Sequence, residues 1–181
     1  MRLVLKNLPF EILSLADFEN LPDAVEDAST FEENALIKAK FFREQTGLAC
    51  LADDSGLEVD VLGGLPGVHS ARFAGYHADE KINNQKLLDE LKKIGVTESA
   101  AAYRCALAFV DIDGTELLTE GKIGGKIKTV AQGNGGFGYD PYFYIDDNRT
   151  MAQLSATEKN SISHRGEALQ KMVLELKERF R

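Results

Sequence analysis

Apolar and polar positions along the chain repeat with two periods, and the switches between them mark out strands and helices. Phe10–Leu15 and Leu57–Leu62 alternate residue by residue, as half-buried strands do. Gly47–Ala52 is a continuous apolar run, long enough for a buried strand and too short for a helix. Ala100–Ile112 predicts a long strand, Asp113-Gly114 a tight hairpin, Thr115–Glu120 its return and Lys126–Ala131 a further strand. One more apolar run, Tyr142–Ile145, follows a glycine-rich stretch. Helical spacing appears three times. Phe31, Ala35, Lys38 and Phe42 share one face and predict a helix over 31–45, with Ser29/Glu32 or Thr30/Glu33 as its capping box and Gly47 as its stop. A second helix over 78–94 would turn Ile82, Leu87, Leu88, Leu91 and Ile94 inward and close at Gly95. The third, His164–Phe180, buries Leu169, Met172, Val173, Leu176 and Phe180 and carries Lys and Arg toward its C-terminus, where the helix dipole favours them. Met1–Lys6 reads as the end of a helix halted by Asn7 and Pro9, and Leu21–Asp27 as an acidic loop. Without a repeat, linker or low-complexity segment, residues 1–181 form one α/β domain, a mixed, twisted central sheet with flanking helices.

Composition changes this picture little. A chain of 181 residues with 44% hydrophobic and 28% charged positions suits one soluble globular domain with a real core. No apolar run approaches the roughly 18 residues that span a bilayer, and Lys6 and Asn7 interrupt any signal-peptide core. Cys50 and Cys105 sit in apolar runs without CxxC spacing, as reduced core thiols of a cytosolic protein do. The net charge of −8 excludes a broad nucleic-acid-binding face but not a small anionic ligand.

Candidate chemistry gathers at Leu51–Gly56, LADDSG, where Asp53 and Asp54 interrupt apolar sequence. Two adjacent carboxylates at the end of a buried strand repel each other and resist desolvation, so a hard cation, a cationic side chain or water must compensate them. A metal-assisted site and a solvated Asp-Ser-Gly turn both satisfy that demand. Lys38 is a cation on a mostly apolar, inward-looking helix face, where snorkelling to solvent is the common outcome. Two other motifs mislead. Gly133–Gly138 matches GxGxxG, yet Pro141 follows where a dinucleotide site needs a helix. Asp111–Thr115 matches the DxDGT of haloacid-dehalogenase-like phosphatases, but the residues after it read as the return arm of a hairpin.

Four segments in order, VEDASTFEENALIKAK, LADDSGLEVDVLGGLPGVHSARF, GNGGFGYDPYF and EKNSISHRGEAL, resemble the inosine triphosphate pyrophosphatase family from about Val25 to Leu169. The resemblance implies two lobes around a nucleotide-binding cleft. It implies hydrolysis of non-standard purine nucleoside triphosphates (ITP, dITP, XTP) to the monophosphate and pyrophosphate with Mg²⁺. Asp54 matches the general base, and Glu26, Asp53 and Asp54 the carboxylates at the metal. Lys38, Lys159 and Ser55 match substrate positions, as do Phe137, Gly138, Tyr139 and Asp140 of the FGYD loop. His164 and Arg165 match donors to the purine 6-oxo group, which would meet the 6-amino group of adenine unfavourably. A cytoplasmic homodimer without nucleic-acid or membrane partners is likewise implied.

The chain departs from the family at its start. Family members open with a strand and a T/SxNxxK loop that grips the triphosphate, whereas Met1–Leu8 aligns with the end of the helix that follows. The expectation is a natural protein that begins upstream of Met1, because the remaining site residues stand in their places. The alternatives are a weakened nucleotide-binding or dimerisation module, and a related pyrophosphatase for other altered nucleotides.

Overall fold

Strand β1 runs unbroken from Cys50 to Val59, straight through the Asp-Asp-Ser-Gly stretch. The turn that these residues permit does not form, and the two short strands read from the sequence are one. Leu57 and Val59 are fully buried, and the Leu57 N–H donates to Ser70 Oγ at 2.8 Å, so tertiary packing holds extended what local preference would bend. The chain is described here by a computed structural model covering residues 5, 8–76 and 78–181.

Strands β2 (Glu98–Val110) and β3 (Glu116–Lys128) flank the turn at Asp113-Gly114, where the Asp111 N–H donates to the Thr115 carbonyl at 2.9 Å. β4 (Phe143–Tyr144) pairs antiparallel with β3, Ile127 opposite Phe143, and completes a sheet of order β1-β2-β3-β4. β3 is also one strand where sequence suggested two. Its glycines break the side-chain pattern but not the ladder, and at Gly125 a Cβ would lie 2.4 Å from the Tyr144 carbonyl oxygen. The missing side chain is what lets β4 approach.

Helix α1 (Phe31–Thr46) is capped by Thr30, whose Oγ1 accepts the Glu33 N–H, and ends at Gly47 in the left-handed region. Helix α2 (Glu80–Lys93) buries Asn83, Leu87 and Leu91, whereas Ile82 and Ile94 are about half exposed. The inward place goes to Asn83 because its amide is matched, accepting from the Ala74 N–H and donating to the Ala71 carbonyl. Helix α3 (Ala156–Ile162) was not anticipated, although Ser155 and Glu158 form a capping box legible in the sequence. Helix α4 (His164–Arg179) follows directly. Phe10–Leu15 is not a strand; its alternation ends in a short 3-10 turn at Leu15–Asp17. The helix end expected over Met1–Lys6 lies outside the described residues, Leu5 excepted.

The chain forms two compact units. The first comprises Met1–Asp54, Cys105–Gly121 and Arg165–Arg181, and the second Ser55–Arg104 and Lys122–His164. In the first, Cys105, Leu107, Phe109, Leu169, Met172 and Leu176 make the core, joined by Leu5 and Leu8. α4 is tied to the β2–β3 hairpin there: Arg179 pairs with Asp111 and Asp113, and Thr119 Oγ1 donates to the Ala168 carbonyl. The second unit packs Leu57, Leu87, Leu91, Tyr103, Ile127, Phe143 and Met151. Both cysteines are free thiols, and burial pushes that of Cys50 up to about 11. Among the described residues no helix is long and apolar enough to cross a membrane.

Candidate active-site residues

In the first unit, α1 and β1 build a charged cluster. Asn34 and Lys38 lie one helical turn apart, so both reach the same side of α1. Lys38 Nζ stands 2.9 Å from Glu26 Oε2 and 3.2 Å from Asp54 Oδ1, bridging two carboxylates from distant segments. It therefore does not snorkel free; its side chain is 17% exposed. Asn34, fully buried, donates from Nδ2 to Asp54 Oδ2 at 3.3 Å and accepts the Ala28 N–H at 3.0 Å, tying the Glu26 loop to the strand. Sequence reading passed over Asn34, although a polar residue one turn before Lys38 on an apolar face was a usable signal.

Asp53 and Asp54 pair with different cationic side chains. Successive side chains of a strand point to opposite faces, so Asp54 meets Lys38 and Asn34 while Asp53 meets Arg165. Arg165 Nε donates to Asp53 Oδ2 at 2.9 Å, and Nη2 lies 2.8 Å from the same oxygen. That ion pair also accounts for an arginine at a helix start, where the dipole disfavours it. Burial raises the Asp54 carboxyl above its ordinary value, outweighing the Lys38 ammonium and the Asn34 hydrogen bond; nearby Glu26 adds to the rise. Glu26 and Asp54, two hard oxygen donors that meet at one ammonium, fit a divalent cation in chemistry. As they stand, Glu26, Asp53 and Asp54 are partnered with cationic side chains, and no group of three or more His, Cys, Asp or Glu among the described residues is gathered to hold an ion.

The second unit holds the other candidates, and Asp140 organises them. Its buried carboxylate accepts the Phe137 N–H at Oδ2 (2.9 Å) and the Tyr103 hydroxyl at Oδ1 (3.3 Å), and it pairs with Lys159 Nζ. Lys159 Nζ also sits 4.2 Å from the centroid of the Phe137 ring, which is 54% exposed. Gly136 is where the loop closes on itself: a Cβ there would lie 2.0 Å from Asp140 Oδ2, and its φ is +77°. The GxGxxG stretch thus hugs its own chain and leads into no helix. The Gly138 carbonyl accepts from Asn84 Nδ2. Tyr139 turns into the core, its hydroxyl donating to the Ser70 carbonyl at 2.8 Å. His164, 5% exposed, stacks on the Tyr103 ring at 5.0 Å and 17°. Ser55 follows Asp54 in β1 as the first residue of this unit. Nothing local in the sequence marked Tyr103, which sits among apolar strand residues.

Comparison with known proteins agrees with the four motifs. The sequence profile of the Ham1 family matches residues 1–175. A dITP/XTP pyrophosphatase of Geobacter sulfurreducens is 48% identical over 167 residues, 92% of this chain and 84% of the relative. One from Bacillus licheniformis is 48% identical over 165 residues, 90% and 84% of the two chains. Among solved structures, a HAM1 protein from Coxiella burnetii superposes with a TM-score of 0.90 at 39% identity, covering 98% of this chain and 91% of the other.

Proposed function

The chain belongs to the Ham1 family, and from that we propose that it hydrolyses non-standard purine nucleoside triphosphates, dITP, XTP and ITP, to the monophosphate and pyrophosphate. The names of relatives 48% identical support the substrate class. The observation that carries the chemistry is Asp54, a buried mid-strand carboxylate held by Lys38 and Asn34 with its proton affinity raised.

Asp54 takes a proton from water as the water oxygen bonds to the α-phosphorus. The bond from that phosphorus to the bridging oxygen breaks, and pyrophosphate leaves with the electron pair. A base with raised affinity accepts the proton more readily near neutral pH. Lys38 meets negative phosphate oxygens, a role for which its two carboxylate partners already place it. By the family resemblance Glu26, Asp53 and Asp54 would hold Mg²⁺. Glu26 and Asp54, which meet at Lys38, stand together for it while Asp53 faces Arg165. The ion when bound would neutralise charge developing on the phosphate oxygens. In the second unit, Phe137 offers an exposed ring for stacking on the purine and Lys159 a cation beside it. His164 and Arg165 supply donors for a 6-oxo group, the Asp53 carboxylate fixing the guanidinium plane. Adenine, with an amino group there, leaves those donors unpaired, and that is what refuses it.

We read the chain as one domain because both units are assembled from separated segments and β1, β2 and β3 each contribute to both. The family resemblance supports a cytoplasmic homodimer.

The test is pyrophosphate release from dITP and XTP, with dATP and dGTP as controls, with and without Mg²⁺, by wild type and Asp54→Asn. Turnover of dITP and XTP well above dATP, dependent on Mg²⁺ and reduced about 10²–10⁴-fold in kcat by the substitution, is expected. Equal turnover of dATP, or an undiminished Asp54→Asn enzyme, would overturn the reading.

A further inference from the structure

We infer that Tyr103 is a positioning residue for base discrimination: its hydroxyl orients the Asp140 carboxylate that organises the Phe137 loop, and its ring sets the plane of His164. The inference rests on the base-recognition reading of Phe137 and His164.

Tyr103 lies on β2 and is 7% exposed, packed in the core of the second unit with its ring 4.5 Å from that of Phe143. Filling that space needs only an apolar side chain. A buried phenol instead brings a hydroxyl that must find a partner, and here the partner is Asp140 Oδ1 at 3.3 Å. Asp140 is 2% exposed, and its other oxygen accepts the Phe137 N–H. The carboxylate is thus held from one side by Tyr103 and in turn holds the backbone beneath the exposed Phe137 ring. Burial first, then the Asp140 charge, pushes the Tyr103 hydroxyl well above its ordinary value, so it remains a donor.

The second contact is independent of the first. The Tyr103 and His164 rings are 5.0 Å apart at 17°, a stacked pair. Stacking leaves an imidazole free to slide but not to tip, so the plane in which its nitrogens can donate is set by Tyr103. One side chain therefore couples a purine-stacking loop to a donor at the start of α4, two features that the chain itself does not join. A positioning residue of this kind alters which base is preferred more than how fast the bond breaks.

The experiment compares wild type with Tyr103→Phe, which keeps the ring and loses the hydroxyl, and Tyr103→Leu, which loses both. Two ratios are read: kcat/KM for dITP over dATP, and the affinities for dIMP over dAMP by titration calorimetry, the latter independent of turnover. Circular dichroism and thermal melting establish that each variant is folded. Tyr103→Phe is expected to lower both ratios about tenfold, mainly through KM, as loss of a hydrogen bond to a charged group implies, and Tyr103→Leu to lower them further. A folded Tyr103→Phe protein whose ratios stay within twofold of wild type overturns the inference and reduces Tyr103 to core filling, whatever Tyr103→Leu does. Failure of the hydrolysis reading shows differently: wild type then releases no pyrophosphate, and Tyr103 is judged on the dIMP/dAMP ratio alone. A wild type without preference in either ratio overturns both.

Discussion

Asp113, at the tip of the β2–β3 hairpin, accepts the Thr115 N–H at Oδ1 (2.9 Å) and faces Arg179 Nη2 at 2.7 Å. The Thr115 backbone first, then the Thr115 and Arg179 side chains, holds its carboxyl down from 3.8 to about 2. A depressed acid stabilises the folded chain above its unfolded pKa, and the contribution disappears as pH falls through the folded value. Asp113→Asn should therefore lower the melting temperature at pH 6. The gap to wild type should close between about pH 4 and pH 2. A gap of constant size across that window would show that Asp113 acts only through its turn geometry. The same locality explains what sequence reveals of the central aspartates. Adjacent carboxylates announce a need for compensation, but a hard cation, a cationic side chain and water all satisfy it. The strand supplies cationic side chains by sending Asp53 to Arg165 and Asp54 to Lys38.

Among the elements, the loop at 133–138 depends most on one position. Gly136 combines a φ of +77° with a space that a methyl group would occupy 2.0 Å from Asp140 Oδ2. Gly136→Ala must displace either the backbone or the carboxylate that holds Phe137 and Lys159. The expected result is a rise of at least tenfold in KM for dITP with a folded protein by circular dichroism; an unchanged KM would show that the loop tolerates rearrangement. Element type was legible wherever hydrophobic period and caps agreed, as in α1 with Thr30 and Gly47. It misled where turn-forming residues sat inside a continuous strand, as in β1 and β3. A residue's intrinsic strand preference spans about 1 kcal/mol, and cross-strand pairing with burial of one face outweighs it. In α2 the period placed Ile82 inside, yet Asn83 takes the buried position because two backbone groups there need its amide.

For the whole molecule, each compact unit carries its own core. Met172, fully buried in the core of the first, tests its packing. Met172→Ala should destabilise the protein by about 2–5 kcal/mol, read as a lower urea midpoint with an unchanged slope. A loss below 1 kcal/mol would mean that the site collapses around the cavity. Sequence by itself determined the family, the α/β class and the helices with clear periods. Tertiary structure alone decided the partners. Arg165 meets Asp53 across 112 residues, Lys38 meets Asp54 across 16, and Tyr103 meets Asp140 across 37. Periodicity records which side of an element is apolar, a property of neighbours within a turn or two. Which charge that side finally faces depends on strand register and packing between distant segments, and no local pattern encodes it.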